Sequence, residues 1–319
     1  MHSERFKRRE IMFASKKSRL AAGVLAAGAL LALSACSSGG GAFSTSSASS
    51  SSDSVTVGSA AFGESEILMQ IYGQALAANG VKVDYKPSIG QRDVYLKALQ
   101  DGSIDLIPEY TGNLLQFYDK NSTATSSDDV YAGLGTALPK GYEVLDQSQA
   151  QDADSYNVTK AFSEKWKVTS LDDLKKVTEP LTVGANPEFQ TRPYGIPGLK
   201  SAYGVTATLK PISDSGGPLT VAALKNGDVQ LADIYTTTPA IKDNDFVTLK
   251  DPKNLIAAQN IVPLINTSKA SAKVRDILNK VSKELTTTDL IDMNGENQGA
   301  SKTQPDAVAK KWLQDHPIK

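Results

Sequence analysis

From residue 55 onward the apolar positions alternate between two spacings, one helical and one of strands. Glu64–Ala78 carries Ile67, Leu68, Ile71 and Leu76 at helical intervals, whereas Val81–Lys86 alternates as a strand does. The pattern predicts further helices over Arg92–Gln100, Leu114–Tyr118 and Asp128–Leu138, the last with Asp128 as N-cap. Strands are predicted at Val55–Ser59 and Ile104–Ile107. Around Gln147–Val158 (QSQAQDADSYNV) the periodicity gives way to polar residues and resumes as an extended YNV. Beyond it, helices are predicted at Lys160–Trp166, Ser170–Lys176, Gly198–Tyr203 and Leu219–Lys225, and strands at Leu181–Gly184, Thr208–Ile212, Gln230–Tyr235 and Phe246–Leu249. After a second break near Leu255–Ile261 come strand Ile261–Ile265 and helices Ser271–Leu285, Thr288–Met293 and Pro305–Asp315. Strands and helices alternating at these lengths predict an α/β fold. Two breaks predict two lobes joined by two crossings, with residues 153–257 inserted into a lobe made of residues 55–152 and 258–319.

An internal echo supports two lobes of one plan. Leu96–Thr111 (LKALQDGSIDLIPEYT) lies over Val221–Thr236 (VAALKNGDVQLADIYT) at a constant offset. Both copies read as an amphipathic helix ended by Gly, a short buried strand, and Tyr-Thr at the strand's end. A TVG precedes each copy, at Thr56–Gly58 and Thr182–Gly184, followed by Phe62 and Phe189 respectively. Ligands of open α/β sheets sit at the carboxyl ends of strands, so Tyr110, Thr111, Tyr235 and Thr236 are expected to face a ligand between the lobes.

Of the 319 residues, 22% are charged and 40% hydrophobic, enough for two packed domains. The net charge of −1 conceals an asymmetry. Residues 1–35 hold seven basic and two acidic residues, so the remainder holds 27 basic and 33 acidic. An acidic body has no face for nucleic-acid phosphates. The basic start leads into Leu20–Leu33 (LAAGVLAAGALLAL), too short for a bilayer span and suited to a signal peptide, with Met1 or Met12 as its start. Leu33-Ser34-Ala35-Cys36 resembles a bacterial lipobox, which implies a signal peptide over residues 1–35 and lipidation at Cys36, the sole cysteine. Residues 36–54, almost wholly Ser, Gly, Ala and Thr, read as a tether. The expected location is the outer face of a cell membrane, held by lipid.

Most enzyme chemistries lack their residues here. The two histidines are His2 and His316, which excludes a His-based triad or HExxH, and there is no P-loop or GxGxxG. No cofactor or metal is expected. The acids Asp152, Asp154 and Glu188 read as solvated surface groups, and a glycosidase-like pair is the weaker alternative. What the chain offers instead is Tyr110, Tyr156, Tyr235 and Phe189 with Arg192 nearby. Aromatic faces attract a cation that cannot donate hydrogen bonds, and a guanidinium grips a carboxylate bidentately. The set matches a zwitterion with a methylated ammonium. The same residues would equally serve as core tyrosines, loop packing at Phe189, a hinge-surface ring at Tyr156 and a surface Arg192 bridging to Glu188.

The lipobox, the GDIDLIPEYTG-like run at Asp101–Asn113, the NPEFxxRxxGxxGL-like loop and NGDxQLADIYTT resemble the glycine betaine/choline-type substrate-binding proteins of ABC importers. The resemblance implies a two-lobed periplasmic-binding-protein fold closing over a compatible solute. It also implies a permease with a separate ATPase chain as partners, a monomer, and no catalysis. It assigns Tyr110, Tyr156 and Tyr235 to an ammonium cage, Arg192 to the ligand carboxylate and the Asp154 backbone carbonyl to the cation. Three departures stand out. Asn113 ends EYTGN where the family often has Thr. Phe62-Gly63-Glu64 stands where FTE is common. Gln259 or Asn260 occupies the place of a cage tyrosine, an amide wall that would suit a hydroxylated ligand. A polyol, amino acid or aromatic solute therefore remains the alternative ligand, and a surface enzyme or adhesion module the alternative class.

Overall fold

The computed structural model describes residues 54–319; the predicted signal peptide, Cys36 and nearly all of the tether lie outside the described residues. Ten strands form two five-stranded sheets. The first sheet contains β1 (Ser54–Gly58), β2 (Lys82–Lys86), β3 (Leu106–Tyr110), β4 (Tyr142–Val144) and, from much later in the chain, β10 (Ile261–Asn266). The second contains β5 (Tyr156–Val158), β6 (Leu181–Ala185), β7 (Ala207–Pro211), β8 (Leu231–Asp233) and β9 (Val247–Thr248). The strand orders are β2-β1-β3-β10-β4 and β7-β6-β8-β5-β9. In each sheet the first three strands are parallel, and the last two run antiparallel to their neighbours. The sheets are therefore the same topology twice.

The echo read from sequence is repeated bond by bond. In the first copy Ser103 N donates to Ala98 O at 2.9 Å, and in the second Asp228 N donates to Ala223 O at 3.0 Å. Gly102 and Gly227 both have φ of +76°, the left-handed turn that ends each helix at little cost only for glycine. The next residues then lock onto the preceding strand. Asp105 N donates to Thr56 O and its carboxylate accepts from Thr56 N at 2.9 Å; Gln230 N donates to Thr182 O and its amide oxygen accepts from Thr182 N at 3.1 Å. Different side chains make one geometry.

Helix Gly63–Ala78 is buried on most of its surface, because the C-terminal helices Ala272–Glu284, Thr287–Gln298 and Pro305–Asp315 pack over it. Ile67, Ile71, Leu278, Leu290 and Trp312 share that core. The chain after the second crossing thus completes the first lobe. Among the described residues no helix is long and apolar enough to cross a membrane.

Several predicted elements move. The strand expected at Ile104–Ile107 begins at Leu106, because Ile104 N is still bonded to Ala98 O at the end of the helix. It continues through Pro108, which faces Pro263 of β10 and needs no N–H there, since β1 pairs with β3 only at Leu106. Asp128 is not the N-cap of the helix Ser127–Ala137; Ser126 Oγ accepts from Asp129 N instead. Strand β4 and the short helix Ala240–Asp243 had no readable periodicity at their lengths.

Candidate functional site

The two crossings pair with each other as an antiparallel ribbon: Asp152 N donates to Gln259 O at 3.1 Å and Ile261 N to Ala150 O at 3.0 Å. Each Tyr-Thr pair meets this ribbon with its Thr. Thr111 N donates to Asn260 O, and Thr111 Oγ1 accepts from Asn260 N, both at 3.0 Å. Thr236 N donates to Ala153 O, and Thr236 Oγ1 accepts from Ala153 N, again both at 3.0 Å. Both threonines were expected in the ligand site and do not line its cavity. Tyr110 ends β3 and Thr111 opens the helix that follows, while Tyr235 and Thr236 lie just beyond β8. The tyrosine takes the cleft and the threonine clamps the hinge.

Between the lobes lies a cavity of about 40 Å3. Its aromatic wall is Phe62, Tyr95, Tyr110 and Tyr235. Phe62 joins the lobes, with its ring 6.1 Å from that of Tyr110 and 5.6 Å, edge to face, from that of Tyr235. From sequence Phe62 stood out as an echo of Phe189 and as the first residue of Phe62-Gly63-Glu64, and not as a wall of the site. Gly63 beside it, a departure from the family pattern, has a local reason: a Cβ there would stand 2.5 Å from Asn297 Oδ1.

The polar wall carries both signs. Asp152 and Asp154 line the cavity and are about 5% and 3% exposed, so the expectation of solvated surface acids is overturned. They lie on the first crossing, which the lobes cover on both sides. Burial, and then the neighbouring Glu64, raises the Asp152 carboxyl well above the usual carboxylate range. Asp154 is a hub through its carboxylate. Oδ2 accepts from Asn113 Nδ2 at 2.8 Å, and Oδ1 lies 3.4 Å from the Arg192 guanidinium. Behind it, burial and then Asp154 raise the Asp233 carboxyl in the same direction. Arg192 also donates to the Tyr194 hydroxyl at 2.8 Å and lies 3.6 Å from Glu188. It therefore faces the cavity and also makes the bridge to Glu188 that a surface arginine was expected to make.

A second arginine was not foreseen. Arg92 opens the helix Arg92–Gln100, and its guanidinium donates twice to Glu109, Nε to Oε1 and NH2 to Oε2, both at 3.0 Å. Glu109 also accepts from the Tyr95 hydroxyl at 2.8 Å and from Tyr110 N at 3.0 Å. No motif announces Arg92, Gln91 or Tyr95. They reach the cavity because the N-terminus of their helix abuts the end of β3.

Of the ten residues singled out from sequence, Tyr110, Asn113, Asp154, Arg192 and Tyr235 line the cavity. Besides the two threonines, three others stand elsewhere. Tyr156 is core rather than cage: it is buried, its hydroxyl donates to Tyr194 O at 2.9 Å, and its ring meets Phe189 edge to face at 5.6 Å. Phe189 fills the same core against Tyr194, with ring centroids 5.9 Å apart. Gln259 is no wall either. Its Oε1 accepts from Asn113 N at 3.0 Å and its Nε2 donates to Asn113 Oδ1 at 2.9 Å, so both amide groups are spent on holding Asn113.

A family model for the substrate binding domain of the ABC-type glycine betaine transport system matches residues 53–315. The chain is 25% identical to the glycine-betaine-binding protein of Pseudomonas aeruginosa over 280 residues, which cover 83% of this chain and 89% of that one. It is 28% identical to the glycine betaine-binding protein YehZ of Escherichia coli over 236 residues, covering 67% and 74% of the two chains. The crystal structure of a glycine betaine/carnitine/choline ABC transporter protein has the same fold, with a TM-score of 0.65 at 20% identity, covering 82% of this chain and 98% of that one. The match runs through both sheets, both crossings and the C-terminal helices, and the chain belongs to the family of substrate-binding domains of ABC-type glycine betaine transport systems.

Proposed function

We propose that the cleft captures a small solute with a methylated ammonium, choline or glycine betaine, and hands it unchanged to a membrane permease driven by a separate ATPase chain. One observation carries this reading: Phe62, Tyr110 and Tyr235 converge from both lobes beside the carboxylate of Asp154. Ring faces and anions together stabilise a cation that offers no hydrogen bonds. Arg92, Arg192 and Asn113 face the same space and suit the solute's polar end. Closure would proceed by rotation about the two-strand ribbon. In this reading Cys36 carries the lipid that holds a monomer at the outer face of the membrane, and the lobes divide at the crossings expected from sequence.

The charge arrangement favours choline over glycine betaine. Arg192 already faces Asp154, and Arg92 is held by both oxygens of Glu109. A ligand carboxylate must compete with those acids, whereas the hydroxyl of choline need not. Calorimetric titration with choline, glycine betaine, carnitine and proline tests this. Choline is expected to bind tightest and proline weakest, each recovered unchanged. Tightest binding of proline, or no heat from any of the four, would remove the methylated-ammonium reading.

A further inference from the structure

Behind the aromatic wall, Glu64 sits where the lobes touch. It lies in the first turn of the helix Gly63–Ala78, is buried, and does not line the ligand cavity. Three donors converge on it. The Tyr110 hydroxyl donates to Oε1 at 2.7 Å, while the Thr237 hydroxyl and the Asn294 amide each donate to Oε2 at 2.6 Å. Tyr110 and Asn294 belong to the first lobe; Thr237 follows β8 in the second. Asn294 Nδ2 also donates to Thr237 Oγ1 at 3.0 Å, so two first-lobe side chains grip one second-lobe hydroxyl. Asp152, on the first crossing, accepts from Thr237 N at 3.0 Å and from Thr236 Oγ1 at 3.1 Å. Glu64 and Asp152 thus meet at Thr237, one at its hydroxyl and the other at its N–H.

We propose that Glu64 is a positioning residue that fixes the Tyr110 ring in the cleft only when the second lobe delivers Thr237, so that lobe closure and the binding surface form together. The proposal rests on Tyr110 as a wall of the cleft, and not on which solute the cleft takes. Hydrogen bonds to a buried charged or shared-proton carboxyl are among the stronger ones, and this carboxyl joins parts that separate when the lobes open.

The same contact makes closure sensitive to pH. Burial raises the Glu64 carboxyl, and burial followed by Glu64 raises Asp152. Two buried carboxyls that meet at one threonine hold a proton that they release when open to water. Closure is therefore favoured at low pH and lost as pH rises through the raised value. The other titratable groups facing the pair are Tyr110 and Tyr235, both kept neutral by burial, with Asp214 and Lys302 across an adjoining cavity of about 350 Å3.

The test reads the closed fraction without added solute. Fluorophores attached through unnatural amino acids at the exposed positions Lys97 and Lys200 report the interlobe distance by energy transfer in the full chain. Thr237→Val, which keeps the shape and removes the hydroxyl, is expected to lower the closed-to-open ratio roughly tenfold, equivalent to about 1.4 kcal/mol. Thr237→Ser, which keeps a hydroxyl, is expected to restore it. The wild-type ratio should fall as pH rises above the ordinary carboxylate range, and Glu64→Gln, which cannot ionise, should flatten that fall. Denaturant midpoints measured alongside separate closure from folding. An unchanged ratio in Thr237→Val, a Thr237→Ser as open as Thr237→Val, or an unaltered pH profile in Glu64→Gln would overturn the proposal. None of these outcomes depends on whether choline or any other solute binds.

Discussion

Glu109→Ala is expected to lower the unfolding free energy by about 3–5 kcal/mol, the cost of leaving one member of a buried ion pair alone. Glu109 is fully buried and the Arg92 side chain is only 12% exposed, so water cannot replace the lost partner. Four hydrogen bonds end on the one carboxylate: two from Arg92, one from the Tyr95 hydroxyl and one from Tyr110 N. Glu109→Gln keeps the volume but must turn an N–H toward one of those donors, and an intermediate loss is expected. Urea unfolding measures both. A loss below about 1 kcal/mol for the alanine variant, the range of an exposed pair, would show that this cluster does not stabilise the first lobe as its geometry demands.

Tyr235→Ala is expected to weaken capture of choline by about a hundredfold. A desolvated cation–π contact contributes about 2 kcal/mol, and the edge-to-face pairing with Phe62 adds about 1 kcal/mol; each 1.4 kcal/mol is about tenfold. Tyr235→Phe keeps the ring and should stay within a few-fold of the parent. Equilibrium titration of both variants separates ring from hydroxyl. An alanine variant that binds as well as the parent would mean that Tyr235 only packs between the lobes.

The fold was readable because its rules are local. A helix ended by glycine and followed by a buried strand has one grammar, and it recurred at Gly102 and Gly227. The first crossing showed as a polar interruption at Gln147–Val158, whereas Leu255–Ile261 (LIAAQNI) is mostly apolar. The site was readable only in part, because its residues come from segments distant in sequence. The polar company of Asp152 and Asp154 made them look solvated, yet they sit on a hinge that two lobes enclose. Arg92 arrives from a helix start without a motif. Thr111, Thr236 and Gln259 belonged to the right neighbourhood but to its scaffolding: the threonines clamp the crossings and Gln259 holds Asn113. Tyr156 is at a strand start, unlike Tyr110 at the end of β3 and Tyr235 just beyond β8, and its hydroxyl is held by Tyr194 O on the inner side of its lobe.

In the proposed reading the cleft holds a positive charge through ring faces and the carboxylate of Asp154, beyond simply fitting a branched shape. Titration of the protein with choline and with 3,3-dimethylbutan-1-ol, its uncharged isostere, separates charge from shape. Choline is expected to bind at least about a hundredfold tighter, since a buried cation gains from both the rings and the carboxylate of Asp154. Equal affinities, or preference for the uncharged alcohol, would contradict it.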